Sequence, residues 1–509
     1  MNCSRCGHEN PDDAKICESC GFDLPNFQEA QLKVKVNIFT ILSIFFAACF
    51  PVFLIFINAG SAFLAAFLSF CSTVASIPKI RENMKKKYMK KSAIIISIIM
   101  ITIASFQMLI FSFWRIDAPP IPNDYTINDI KSAAPEYNQS YELLMSIADN
   151  NDGTTDSSII GLSREDVNNI GEIYDIFGEY SLEEASIKLK EKEKDILTLW
   201  DKAKKGREIF TKLDSYPEIA DNSKSSINSK FLLSKNLKDL VYLYRIYICL
   251  QSINNHQEQA IDKLITLDSI FKKLSLNSRA IVTKLVCMAC LTQNIYSANF
   301  MINNPETPND ILLVIKNQTE SLSGEHSSLK NVFIFEYLTF KNELAKISNE
   351  PKLKYSSIAP FKYNSSLRLY RNYFDEWIAI EENKKAENKL RIWPALYPNI
   401  PVKIHPDGRL DSLYYRIYNP VGDFLLETIV PALEKIISVK TKLQIHADLL
   451  KIVLNKRLGQ EVDLKARAYS DEYIINIENK KIVSPGPDGK EGTRDDISLP
   501  INPEVLGLG

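Results

Sequence analysis

The sequence predicts a mostly α membrane protein: an N-terminal zinc ribbon, three transmembrane helices, and a large all-α outer domain ending in a small β-hairpin. Three observations carry that expectation. Two C-x-x-C pairs fall at Cys3, Cys6, Cys17 and Cys20. The long uncharged apolar runs are confined to residues 36–114. Behind them, a soluble composition carries apolar residues at three-and-four spacing, the period of a helix buried on one face. The expected domains are a ribbon at 1–24, a linker at 25–35, the membrane region at 36–114, a helical extracytoplasmic domain at 115–462, and a hairpin with an Asp/Gly-rich loop at 463–509.

Bulk numbers set the limits. A chain of 509 residues exceeds one ordinary domain. Lys+Arg of 61 against Asp+Glu of 62 leaves a net charge of -1, so no global excess of positive charge points to nucleic acid. Glycine, at 17, is scarce, which disfavours a Gly-rich cofactor fold. Cys249, Cys287 and Cys290 are an odd set and make no disulfide framework. The first thirty residues are polar and cysteine-bearing, so no signal peptide is expected, and the first apolar run serves as an anchor.

The N-terminal segment carries the strongest motif. Two thiolates three residues apart reach one ion if the chain folds into a knuckle, and Gly7 and Gly21 permit each turn. Two knuckles make a closed four-thiolate zinc site with Cys3, Cys6, Cys17 and Cys20 as ligands. So short a segment has no core, and metal binding would supply its folding energy. The competing reading is a pair of disulfides or redox-active C-x-x-C motifs. His8 falls outside a shell that four sulfurs complete. The segment resembles the bacterial zinc-ribbon family in which a short CxxCG–CxxCG unit precedes membrane spans, which implies a structural zinc.

Residues 37–58 form an uncharged run of 22, long enough to cross a bilayer, with Pro51 inside it. Asn58, Ala59, Gly60 and Ser61 make a turn signal, followed by a shorter run at 62–77. The third run, 93–114, ends in Trp114, an interfacial anchor. The second run is marginal in length, and a re-entrant or interfacial piece is its alternative. The loop between the second and third runs holds Lys79, Arg81, Lys85, Lys86, Lys87, Lys90 and Lys91 against Glu82. Short loops this basic stay in the cytoplasm. Lys33 and Lys35 precede the first run, and both flanks lie inside only if two spans separate them. The ribbon is then cytoplasmic, where thiols stay reduced, and the large domain faces outward. The layout looks like a bacterial domain of unknown function in which two short spans, a lysine-rich loop and a third span follow a zinc ribbon. That resemblance implies the cytoplasmic membrane and no mechanism.

Pro119, Pro120 and Pro122 make a stiff exit from the membrane region. Ser181 and Glu184 form a capping box expected to open one long helix through about Leu213. Further helices are expected at 236–252, 257–274, 278–301, 330–348, 365–390 and 420–457, with short polar joints such as Asn254-Asn255-His256. Short connections imply an antiparallel stack, and no clean 34-residue repeat is present. No H-E-x-x-H, G-x-S-x-G, phosphate loop or dinucleotide fingerprint occurs. His405 sits in a turn signal and His446 on a helix, more in keeping with packing than with catalysis. Cys287 and Cys290 read as core residues, and Glu336, Asp375 and Glu376 as helix faces at the edge of a core.

Near the C-terminus, 473–477 and 481–483 read as two strands joined at Glu478-Asn479-Lys480. Asp488, Asp495 and Asp496 with Gly489 and Gly492 then suit a hard cation held by oxygen, or else a polar surface turn. The stretch resembles the calcium loop of the major pseudopilin of type II secretion systems, which implies a calcium held by those three aspartates. A pseudopilin begins with a cleaved leader and a single N-terminal helix, which are lacking here, so only the loop is carried over. The expected function is a non-catalytic envelope protein whose outer domain binds a protein partner. The alternatives are an envelope hydrolase without a recognisable motif and a secretion-associated component.

Overall fold

The computed structural model describes residues 6–11, 16–21, 117–147, 157–225, 235–322, 324–349, 361–383, 391–396, 400–404 and 419–508. The three expected spans and Cys3 lie outside the described residues. So does His405. The chain divides into two compact units. The first comprises Met1–Pro119, Ser348–Ser365 and Ser412–Phe424, the second Pro120–Ile347, Ser366–Asp411 and Leu425–Gly509.

The second unit is mostly helical. Its helices begin with α1 (Asn138–Met145), α2 (Arg164–Glu179), α3 (Leu182–Glu191), α4 (Glu193–Lys202) and α5 (Lys204–Ser215). The central three are α6 (Lys235–Ile253), α7 (Gln257–Asn277) and α8 (Ile281–Ile302), followed by α9 (Asn309–Glu320) and α10 (Lys330–Asn349). Helices α11 (Tyr363–Asn383) and α12 (Pro420–Arg457) follow, each with its first residues in the first unit and the remainder in the second. The capping box at Ser181 is present, but the long helix expected behind it is three helices. Breaks fall at Lys192 and Ala203, both with backbone outside the helical region. Leu189, then Ile196, Leu199 and Trp200, then Phe210 and Leu213 are all buried, one apolar face carried through the three helices.

Helix α6 is buried nearly all round, and Trp200 stacks on its Tyr247 with ring centroids 3.7 Å apart. Phe210 meets Tyr244 and Phe271, so α5, α6 and α7 share one aromatic core. Among the described residues α8 is the one helix long and apolar enough to cross a membrane, yet 67% of its apolar window is buried within the fold. That is the environment of a core helix. Its N-terminal amides at Arg279 and Ala280 donate to Asp221, and that of Ile281 donates to Glu336. The buried Lys284 donates to the carbonyls of Ser275 and His326, placing a cation at the end of α7 where carbonyls lack helical partners.

The chain after Pro120 is tied down by charge. Asp124 accepts from Tyr337, Lys341 and Arg371, and Tyr125 donates to Asp375 at 2.6 Å. The Arg371 guanidinium lies 3.3 Å from the centroid of the Tyr125 ring. Asp375, read from sequence as a helix face, is therefore part of a clamp joining residues 124–125 to α10 and α11. In the first unit, Asp117 accepts from the backbone of Asn364 and Ser365, at 2.7 and 3.0 Å, and caps the start of α11.

Two small sheets interrupt the helices. Strands β1 (Arg391–Leu396) and β2 (Ile400–Ile404) pair antiparallel, inside a stretch expected to be wholly helical or loop. At the C-terminus the expected two-stranded hairpin is a three-stranded antiparallel sheet, β3 (Ile474–Asn476), β4 (Lys481–Ser484) and β5 (Ile497–Pro500). The third strand was missed because Ile497-Ser-Leu-Pro500 is short and ends in proline, which demotes a strand on sequence grounds. Ile482 and Leu499 face each other in β4 and β5 and are fully buried. Asn299 on α8 donates to the Pro500 carbonyl at 2.8 Å, and Asn303 accepts from Asn502, which fastens the sheet to the core helix.

Candidate metal centre

The ribbon's knuckles form for local reasons. Gly7 and Gly21 have φ of +74° and +69°, a region that side-chain-bearing residues rarely enter. The Gly21 amide donates to the Cys17 carbonyl at 2.9 Å, closing the second knuckle. Glu9 and Ile16 occupy isolated bridge positions between the two halves. This folding brings the Sγ atoms of Cys6, Cys17 and Cys20 within 4.8 Å of one another.

The donor set fits zinc. A tetrahedron with Zn–S of about 2.3 Å puts its sulfurs about 3.8 Å apart. Cys6 and Cys17 are separated by 3.6 Å. Cys6, Cys17 and Cys20 are free thiols. Cys17 is buried, with 1% of its surface exposed, whereas Cys6 and Cys20 are exposed. Burial by itself raises the Cys17 thiol pKa. Hydrogen bonds from the backbone of Cys20 and Ser19, and from Asn10 and Cys6, outweigh it and bring the pKa down to about 6. The thiolate that zinc requires is thus favoured before any metal arrives. The sequence reading missed Asn10, which is 3% exposed and bonded to both halves of the ribbon. Its only signal in the sequence is a short amide in the loop between the knuckles.

The aspartate-rich segment is the connection between β4 and β5. It gathers its carboxylates on one hydroxyl: Thr493 Oγ1 lies 2.8 Å from Asp495, 3.3 Å from Asp488 and 3.3 Å from Asp496. A hydroxyl has one proton, so at most one of these contacts is a hydrogen bond and the others set oxygen against oxygen. The same carboxylates accept backbone amides, Asp488 from Lys490, Asp495 from Asp488, and Asp496 from Gly486 and Gly492. A Cβ at Gly486 would collide with the Asp495 carboxylate, so glycine is required there. The three aspartates do not close as tightly as the cysteines. Among the described residues the cysteine trio is the one group of three or more His, Cys, Asp or Glu whose ligand atoms all lie within 4.8 Å.

The other residues singled out from sequence are placed as follows. His446 is buried, bonded to the Tyr296 hydroxyl at 2.9 Å and the Lys442 carbonyl at 2.8 Å, and burial drives its pKa down to about 4. Cys287 and Cys290 are buried on α8, and burial pushes the Cys287 thiol up to about 12, away from the reactive thiolate. Glu336 is half-buried, and desolvation lifts its pKa to about 7 against the opposing hydrogen bond from Ile281. None of these groups converges on another to form an acid–base pair with a nucleophile.

Residues 2–24 match the zinc-ribbon domain family. No curated protein and no solved structure matches the chain.

Proposed function

We propose that this chain is an integral protein of a bacterial cytoplasmic membrane. Its cytoplasmic zinc ribbon is structural, and its large helical domain works outside the membrane as a non-catalytic binding or scaffold unit. One observation supports the metal part above all: the trio of Cys6, Cys17 and Cys20 at zinc spacing. Cys3 is the fourth ligand by the motif. Four sulfurs leave no open position, so zinc here supplies a cross-link and no Lewis-acid chemistry.

Membrane anchoring is supported by the segregation of uncharged runs into 37–58, 62–77 and 93–114 and by the lysine-rich loop between the last two. Reporter fusions test it. Fusions at residues 15 and 86 should report as cytoplasmic and a fusion at residue 200 as external. A cytoplasmic residue 200 would remove the second span and turn the whole assignment over.

The outer domain's role as a binding unit rests on the modular layout of the sequence, a ribbon and apolar runs followed by a large helical domain. Pull-down of the chain from native membranes checks it, with a specific protein partner as the expected result. The loop of Asp488, Asp495 and Asp496 takes a calcium ion in this reading. The crowding of carboxylate oxygens around Thr493 favours it, because a divalent cation would replace oxygen–oxygen repulsion with attraction.

A further inference from the structure

We infer that Asn10 is the positioning residue of the ribbon's zinc centre, holding the Cys17 thiolate toward the metal through an N–H···S hydrogen bond. The inference rests on the zinc reading of the ribbon.

The side-chain amide of Asn10 spans the loop between the knuckles. Nδ2 donates to the His8 carbonyl at 2.8 Å and to Cys17 Sγ at 3.5 Å. Oδ1 accepts the Glu18 amide at 3.0 Å. The pattern fixes the orientation of the amide group. A flipped amide would set Oδ1 against the His8 carbonyl and Nδ2 against the Glu18 N–H, losing two bonds and creating two repulsions. The proton aimed at sulfur is therefore imposed by the two backbone partners, one on each side of the loop between the knuckles.

The sulfur it meets is the one that needs it. Among the described thiols of the ribbon, Cys17 alone is buried. A buried anionic sulfur is costly unless hydrogen-bonded. Cys6 and Cys20 are exposed, within reach of solvent. Asn10 adds a side-chain hydrogen bond to those that the backbone of Ser19 and Cys20 gives this buried sulfur. It also draws electron density from the thiolate, which makes the metal–sulfur bond less open to attack by protons or electrophiles. Partners of this kind typically change metal affinity by about 10- to 100-fold.

The experiment uses the full chain in detergent, wild type against Asn10→Ala and Asn10→Asp. Aspartate is nearly isosteric and keeps the acceptor for Glu18, but it loses both donors and sets a carboxylate against the thiolate. Zinc content is measured first, then competition against a chromogenic chelator, then the thiolate-to-metal charge-transfer band of the cobalt(II)-substituted protein. The expected result is one zinc in wild type, a 10- to 100-fold weaker hold in Asn10→Ala, and a still weaker hold in Asn10→Asp. The cobalt band should move to lower energy in both variants, as sulfur loses its hydrogen bond. A merely structural asparagine would leave that band unmoved. A wild type without zinc overturns the zinc reading itself. A zinc-loaded wild type whose Asn10→Asp variant matches it in affinity and cobalt spectrum overturns the role of Asn10 and leaves the zinc reading standing.

Discussion

The ribbon and the C-terminal aspartate loop are both short, glycine-turned and rich in metal-ligating atoms, yet they fold around those atoms differently. In the ribbon three thiols face one another within 4.8 Å, the Gly21 amide closes the second knuckle on the Cys17 carbonyl, and the backbone of Ser19 and Cys20 donates to the Cys17 sulfur. In the loop each carboxylate already accepts at least one backbone amide, and all three crowd Thr493. The loop is also anchored: β4 and β5 enter and leave it, and Asn299 ties β5 to α8. A ligand set that is also the fold's own support, as in the ribbon, depends on its metal. A ligand set hung on a sheet that is already held adds only local order. The contrast has consequences that can be measured.

The largest effect belongs to the ribbon. Cys17→Ser should abolish zinc binding and leave residues 1–24 open to protease. The free energy at stake is on the order of 10 kcal/mol, that of a structural zinc. Melting of the helical domain should not change, since the ribbon and that domain's core belong to separate compact units. Metal analysis with limited proteolysis checks this, and a variant that keeps both its zinc and its protection would break the contrast.

A core substitution should do the reverse. Phe271 is fully buried between Phe210 and the remainder of α7's packing, and Phe271→Ala should cost the helical domain about 3–5 kcal/mol. Denaturant unfolding reads the loss, and the zinc content of the same protein should stay at one. Coupled loss of zinc would mean the two regions are not independent.

Acidity should act on the helical domain with two opposite signs. Glu336 has a folded-state pKa raised to about 7. Between an unfolded value of about 4.3 and that value the folded state holds a proton the unfolded state has released. Stability from Glu336 is therefore lost as pH rises through that window. His446, held neutral with a pKa near 4, works the other way. Below its unfolded value of about 6.5 the unfolded state takes up a proton the folded state refuses, so stability falls as pH drops toward 4. Glu336→Gln should raise the thermal midpoint at pH 8 by the equivalent of no more than about 4 kcal/mol, and should have little effect at pH 4. A variant equally stable at both pH values relative to wild type would show that Glu336 is not carrying a displaced proton.

The smallest effect is the loop's. At calcium tenfold above its dissociation constant, one site stabilises by about 1.4 kcal/mol. Replacing Asp488 and Asp495 by alanine should remove a calcium-dependent rise in thermal midpoint or protease resistance. The helical domain should remain folded. Melting that ignores calcium and chelator alike would return the loop to an ordinary surface turn and sharpen the contrast with the ribbon.

What the sequence by itself determined is what depends on neighbours along the chain. The knuckles at Cys6 and Cys20 were legible because a C-x-x-C followed by glycine folds within a handful of bonds. The central helices α6, α7 and α8 were legible because helix periodicity is local, and the capping box at Ser181 because its two partners lie three residues apart. What only the tertiary structure decided is what depends on partners far away. Three helices replace one after Ser181, with breaks at Lys192 and Ala203, neither of which is a proline or a glycine that would announce a break. Strand β5 exists because β4 supplies its ladder and α8 its anchor, neither of which Ile497–Pro500 announces. Asp375 met Tyr125 across 250 residues and Glu336 met the N-terminus of α8 across 55, separations that no local pattern spans. Asn10 lies between the two cases. It is only seven residues from Cys17, but the orientation of its amide is set by two backbone groups that meet only once both knuckles have closed.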